Sequence, residues 1–235
     1  ITRQDFAFGL SLNMGCEAAS GDILVITSGH CVPLDETWLQ HLCQPILDDA
    51  AQYTYGRQIS SSESQFSESQ IFLKYYPEEK NHLEHDFFCN NANSAIHRSA
   101  WATHYFDEKI TGLEDMDLAK RLISDGGRVL YVPQSTVIHY HTETWAQVRR
   151  RFEREAMALK KIMPQVHVSL LDTLRYISSS IFNDWMCARN AKMWKRKAVE
   201  IVFYRWNQYF GAFKGNHEHR ELSRKEKEKY YFPYP

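Results

Sequence analysis

The chain has 235 residues, 43% hydrophobic and 24% charged, enough for one large domain or a domain with an appendage. No apolar run approaches the ~20 residues needed to cross a bilayer, and the polar start Ile1-Thr2-Arg3-Gln4-Asp5 does not read as a secretory signal. The net charge of −1 conceals a division: up to residue 148, 9 Lys and Arg face 20 Asp and Glu, a net −11, whereas from Arg149 onward 19 face 9, a net +10.

An acidic part suits a cation or metal site, and a basic part suits an anionic surface. This places a division between residues 1–148 and a basic helical region and tail at 149–235. Cys16, Cys31, Cys43, Cys89 and Cys187 are odd in number and scattered, with no C-x-x-C pair. They argue against a disulfide framework or a cysteine zinc site and fit free thiols in a reducing cytoplasm.

In chain order, residues 9–20 read as a helix stopped by Gly21. Asp22 to Thr27 is a β-branched run without alternation, which predicts a strand buried on both faces, as in a parallel sheet. Ser28 to Pro33 breaks it, and Asp35 can cap a helix from about Glu36 to Leu47. Residues 53–58 read as a strand and the serine-rich stretch 60–70 as a loop. Phe87 to Ile96 reads as strand and turn, Glu114 to Ser124 as an amphipathic helix, and 128–132 and 137–141 as two more strands. Long basic helices follow at 144–163, 168–187 and 190–212, then a charged tail from Asn216. Alternating helix and strand predicts an α/β fold: a mixed sheet flanked by helices, with a C-terminal helical extension.

Ligands of open α/β sheets sit beyond the carboxyl ends of the strands. Three polar groups fall there: Ser28-Gly29-His30 after the first strand, Glu114-Asp115-Met116-Asp117 opening a helix, and His139-Tyr140-His141 closing the last strand. Neutral imidazole binds a divalent metal, and residues two apart on a strand share a face, so His30, His139 and His141 are candidate ligands. Asp115 and Asp117 lie near a helix N-terminus, where the dipole favours negative charge, and a carboxylate there can act as a general base.

Several stretches together resemble the family-2 glycosyltransferases of GT-A (Rossmann-like) fold. These are Gly9-Leu-Ser-Leu-Asn13 through Gly21-Asp-Ile-Leu-Val-Ile26, Gly56-Arg57-Gln58, Asn91-x-Asn93-Ser-Ala-Ile96, Gly112-Leu-Glu114-Asp115-x-Asp117-Leu-x-x-Arg121, Val137-Ile-His139-Tyr-His141 and Arg151-Phe-x-x-Glu155-Ala156. They follow the family's order over residues 8–160 or so. Two departures stand out. The family's first nucleotide-binding strand and turn have no counterpart, so roughly 60–80 residues of two βα units are expected to be missing, and these 235 residues alone are expected neither to bind nor to turn over a nucleotide sugar. The family's Asp-x-Asp is here Ser28-Gly29-His30, which is nearer the Asp-x-His variant of the polypeptide N-acetylgalactosaminyltransferases.

The resemblance implies inverting transfer from a nucleotide-sugar donor to an acceptor hydroxyl of a glycan or lipid-linked acceptor, in glycan or polysaccharide biosynthesis. Asp115, with Glu114, is then the base; Ser28, Gly29, His30 and Arg149 face the donor diphosphate; Asn91, Asn93 and Trp145 face the acceptor. A divalent cation (Mn or Mg) falls to His30 with His139 or His141. Lysines and arginines mixed with aromatics in the C-terminal helices suit the inner face of an anionic membrane as a peripheral contact, and no nucleic-acid module is present. Two other readings stay open: a non-catalytic nucleotide-sugar or glycan-binding relative, marked by Ser28, and a metal hydrolase built on the three histidines.

Overall fold

The computed structural model describes residues 6–79 and 87–218. The polar start at residues 1–5 and the charged tail beyond Glu218 lie outside them. In order the elements are helix α1 (Phe8–Ala18), strands β1 (Ile23–Thr27) and β2 (Cys31–Pro33), α2 (Trp38–Leu47), β3 (Tyr53–Ser60), α3 (Phe66–Tyr75), β4 (Asn93–His97), α4 (Arg98–His104), α5 (Glu114–Ser124), β5 (Val129–His139), α6 (Trp145–Ile162), α7 (Leu170–Asn190) and α8 (Trp194–Asn216). The α/β architecture is as expected: one mixed five-stranded sheet, ordered β1-β4-β3-β5-β2, with helices against it and a helical extension at the C-terminal end.

Among the described residues only β3 and β5 run parallel; the other three pairings are antiparallel. The strand buried on both faces is β3, where Tyr53 to Gly56 are all buried, and not β1. β1 pairs on one side only, with β4, and leaves Val25 exposed. An unalternating apolar run cannot by itself tell a central strand from an edge. Alternate residues of β1 and β4 serve opposite faces. Leu24 and Ile96 join Tyr53, Tyr55, Trp101, Phe106 and Leu118 in the larger core, while Ile23 and Ala95 meet Leu42 and Ile46 of α2.

Three further expectations are corrected. The serine-rich stretch is not all loop: α3 begins at Phe66, because Phe66 and Phe72 have apolar neighbours to bury against. Its first amide is capped from outside, Phe66 N donating to Glu200 Oε1 of α8 at 2.7 Å. Tertiary partners override the local polarity here. The two strands expected at 128–132 and 137–141 are one strand, β5, which ends at His139 and leaves Arg128, Tyr140 and His141 outside it; its register jumps from Gly56↔Val132 to Arg57↔Thr136, so Pro133, Gln134 and Ser135 bulge out. Gly56 is required opposite that bulge, since a Cβ there would lie 2.3 Å from Ser135 O and 2.1 Å from Asn93 Nδ2. Of Phe87–Ile96, only the part from Asn93 onward is strand.

The helical extension is tied to the sheet domain through α6, which begins at Trp145 on a Thr144/Gln147 capping box and runs across the charge boundary at residue 149. α8 packs closely along α6: Cβ atoms at Gly211 and Gly215 would meet the carbonyls of Arg149 and Glu153 at 2.3 and 2.1 Å. A buried ion pair, Arg205 with Asp184 at 2.7 Å, joins α8 to α7, and Ser67 of α3 donates to the same carboxylate at 2.6 Å.

Candidate active site

His30, His139 and His141 converge, each offering a ligand atom within 4.8 Å of the others. β5 ends on His139, and β2 pairs beside it with Cys31 opposite His139. Tyr140 N donates to His30 O at 3.0 Å, which ties the Ser28–Cys31 turn to the strand end. His139 is buried and His30 exposed. Burial, reinforced by His141 and His30, pushes His139 down to about 2, so its ring is neutral at any physiological pH. Burial and then His141 also lower His30.

Each inner histidine has a fixed partner. His139 Nδ1 lies 2.7 Å from Gln58 Oε1 of β3, and His141 Nδ1 lies 2.7 Å from Glu68 Oε1 of α3. Arg151 of α6 closes the far side: its Nη2 reaches Glu68 Oε1 at 2.7 Å and Glu143 Oε2 at 2.6 Å, while its Nε donates to Glu143 at 2.9 Å. Burial works to raise Glu68, but the His141 hydrogen bond and the Arg151 charge outweigh it and hold the carboxyl below its ordinary value.

The second centre is the carboxylate pair opening α5. The residue before it, Leu113, has φ 56°, a left-handed backbone that costs a non-glycine residue about 1–3 kcal/mol and so marks a position held by its surroundings. Glu114 and Asp115 are both buried. Asp115 accepts from Asn91 N through Oδ2 and from Met116 N through Oδ1, both at 2.8 Å. Glu114 Oε2 is buried without a hydrogen-bond partner. Burial and then the neighbouring Glu114 push Asp115 up to about 8 against those two amides. Burial likewise raises Glu114. The pair therefore resists carrying two charges at neutral pH.

One loop, residues 90–92, connects the two centres and the end of β1. Asn91 N holds Asp115, Asn90 Oδ1 accepts from Gln58 Nε2 at 3.0 Å, and Gln58 in turn holds His139. Ala92 O accepts from Ser28 N at 3.2 Å and Thr27 Oγ1 at 3.3 Å. Glu155 of α6 acts between the centres, its charge raising Glu114 and Asp115 while its own carboxyl, raised by burial, is pulled back by Arg151, Arg154 and His141.

Ser28 and Gly29 form the turn beside the histidines, with Ser28 O accepting from Cys31 N, and a Cβ on Gly29 would meet nothing within 4 Å. Arg149 is exposed on α6 and is not the arginine at the histidines; Arg151, two positions on, takes that place. Asn93 is fully buried with both ends of its amide used, by Trp38 Nε1 and by the carbonyls of Ser135 and Arg57, so it belongs to the packing of the sheet and is not open to an acceptor. Asn91 likewise turns its Oδ1 to Tyr53 and Ser94. Trp145 stacks on Phe203 of α8, ring centroids 6.0 Å apart. Asp117 pairs with Arg121 at 2.8 Å along α5. Glu68 and Asn90 were missed. Glu68 sits in the stretch read as loop, and only the chain reversal at α3 brings it to His141, so no local signal marks it.

No family model matches the sequence, and no curated protein does. Among solved structures, the mannosyltransferase PcManGT from Pyrobaculum calidifontis, in complex with GDP-Man and Mn²⁺, superposes with a TM-score of 0.58 at 12% identity. The match covers 88% of this chain and 66% of that one, so the chain spans just under two thirds of its length. Identity that low speaks for the fold alone, which the two chains share over the matched part.

Proposed function

We propose that this protein is an inverting glycosyltransferase that moves a sugar from a nucleotide-sugar donor to an acceptor hydroxyl. What carries the reading is the 90–92 loop, which ties a buried carboxylate of raised pKa and a cluster of three histidines to one edge of a glycosyltransferase-type sheet. The acceptor oxygen attacks the anomeric carbon as its proton passes to Asp115. The bond to the donor's phosphate oxygen breaks, and the nucleoside diphosphate leaves with the electron pair. A sugar hydroxyl is a weak nucleophile, and positioned proton removal contributes typically 10²–10⁴-fold.

The histidines fit a cation: His139 Nε2 is buried and has no hydrogen-bond partner, an arrangement a bound Lewis acid satisfies. His30, His139 and His141 would hold a divalent cation, which would supply positive charge for the leaving diphosphate. Glu68 and Gln58 orient two of those rings, and Arg151 keeps Glu68 ionised. The test is a donor screen on the full-length protein with glycan and lipid-linked acceptors, reading released nucleoside diphosphate and the anomeric configuration of the product. Inverted product from one donor class is the expected result. Tight donor binding without any turnover would instead make it a binding relative, and cleavage of substrates without a donor would make it a hydrolase.

We also propose that the helical extension rests on an anionic membrane. Val199, Val202, Phe203, Trp206 and Phe210 recur at helical spacing along α8 and are all exposed, an apolar stripe turned to solvent. Exposed Lys192, Trp194, Lys195 and Arg196 lie at its N-terminal end. No helix of the described residues is long and apolar enough to cross a membrane. The stripe instead suits a helix lying in the headgroup plane, where each Lys or Arg near an anionic surface adds about 1 kcal/mol. Co-flotation with phosphatidylserine-containing vesicles is expected, weakened by salt and by Phe203→Ser with Trp206→Ser. Equal flotation of that double variant, or none by the parent protein, would remove the membrane face.

A further inference from the structure

The hydrogen bonds around the histidines fix which nitrogens carry protons. Ala92 N can only donate, and it donates to Asn90 Oδ1 at 2.9 Å. Gln58 therefore turns its amide nitrogen to that oxygen, at 3.0 Å, and its carbonyl Oε1 to His139. His139 Nδ1 must then hold the proton, which leaves Nε2 with a lone pair, buried and unmatched by any donor. His141 is fixed in the same sense, because Nδ1 faces the acceptor Glu68 Oε1. Its Nε2 is left as the free donor atom. Metal-ligating histidines are characteristically held this way through their other nitrogen.

The carboxylates nearby are engaged elsewhere. Glu68 and Glu143 lie close enough to His141 to form a second cluster of possible ligands, yet both are clamped by Arg151, Glu143 through two contacts. The donor set that remains is three imidazoles. In a tetrahedral site with metal–nitrogen bonds near 2.05 Å, ligand nitrogens sit about 3.3 Å apart. The three ligand atoms lie within 4.8 Å of one another, and His30 is exposed at the turn that begins at Ser28.

We propose that the three histidines form a resident tris-imidazole centre that selects a zinc-class ion over Mg²⁺ or Mn²⁺ and binds it before any nucleotide arrives. Imidazole suits Zn²⁺, Co²⁺ and Ni²⁺, whereas Mg²⁺ and Mn²⁺ prefer carboxylate, carbonyl and water oxygens. Imidazole coordinates as a neutral ligand, so three of them leave both positive charges of the ion for an anionic ligand at the open fourth position. The transferase reading gives the centre its use. Its existence and its selectivity rest on the ligand set alone and are measured without donor or acceptor.

The experiment titrates chelator-stripped protein with Co²⁺ and reads the visible d–d bands of the four-coordinate ion, then competes with Zn²⁺, Mn²⁺ and Mg²⁺. One Co²⁺ per chain is expected, displaced stoichiometrically by Zn²⁺ and left in place by a large excess of Mg²⁺ or Mn²⁺. Glu68→Gln should weaken Co²⁺ binding by roughly 10–100-fold, the range for loss of a supporting partner, and His30→Ala by more. His30 is exposed, so its variant should keep the parent's circular dichroism and melting profile. Displacement by Mg²⁺ or Mn²⁺ as readily as by Zn²⁺, no Co²⁺ bound without nucleotide, or unchanged binding by folded His30→Ala would each overturn the proposal. Failure of sugar transfer with intact Co²⁺ binding would count against the transferase reading only.

Discussion

Asp115→Asn is expected to lower turnover by roughly 10²–10⁴-fold in the full-length protein while donor affinity stays close to that of the parent. The substitution keeps shape and one acceptor oxygen for Asn91 N or Met116 N, but it cannot take the acceptor's proton. Burial and Glu114 place Asp115 at about 8, so turnover of the parent should climb with pH through that value as the base ionises. The same shift fixes the sign of a stability effect. Between about pH 4 and 8 the folded chain binds a proton at Asp115 that the unfolded chain has released, so stability falls as pH rises across this window. In Asp115→Asn that decline should flatten, which separates loss of the base from damage to the fold. Asp117→Asn is the control. Its carboxylate pairs with Arg121 on the partly exposed side of α5, a contact worth about 0.3–0.5 kcal/mol, and turnover should change little. Near-normal turnover in Asp115→Asn with loss in Asp117→Asn would move the base half a turn along the helix. If neither matters, the inverting-base mechanism fails.

The α5 boundaries were legible in the sequence because Glu114 to Ser124 is strongly amphipathic and stops at Gly126-Gly127. His139 and His141 do meet, ring centroids 4.1 Å apart, but the strand that the spacing implied ends at His139, so His141 is placed by the segment after β5 and by Glu68. What was not legible depends on partners distant in sequence. α3 forms in a serine-rich stretch because Phe66 finds Ala188 and Ile201, and its amide finds Glu200. The edge position of β1 is a property of the sheet order and not of Ile-Leu-Val-Ile-Thr. Arg149 and Arg151 are indistinguishable by composition, and only the phase of α6 turns one to water and the other to Glu68. Gln58 and Asn90 matter through the proton positions they enforce, and no spacing rule encodes these.

Arg151→Ala is expected to destabilise the chain by about 3–5 kcal/mol, the cost of removing one partner from a buried ion pair. For a chain of this size that is a fall in Tm of roughly 10 °C. The reason is geometric. A single guanidinium spans Glu143 and Glu68, and its loss leaves Glu68, whose side chain is only 4% exposed, with His141 as its remaining partner. Arg151→Lys should fall between parent and Ala, because a compact ammonium cannot reproduce the planar fork that meets both carboxylates. Adding Glu68→Gln to Arg151→Ala should recover part of the loss, since a neutral amide costs less to bury unpaired than a carboxylate. The pH dependence supplies an independent check. In the parent, the depressed Glu68 contributes stability that is present above the ordinary carboxylate pKa of about 4.3 and lost as pH falls through its lower folded value. In Arg151→Ala burial acts on Glu68 without that cation, its carboxyl rises, and acidification relieves the buried charge. The gap in Tm between the two proteins should therefore narrow as pH falls below neutrality. A gap of only a degree or two that does not change with pH would show that Arg151 behaves as a solvated surface charge, and that the clamp holding Glu68 against His141 lies elsewhere.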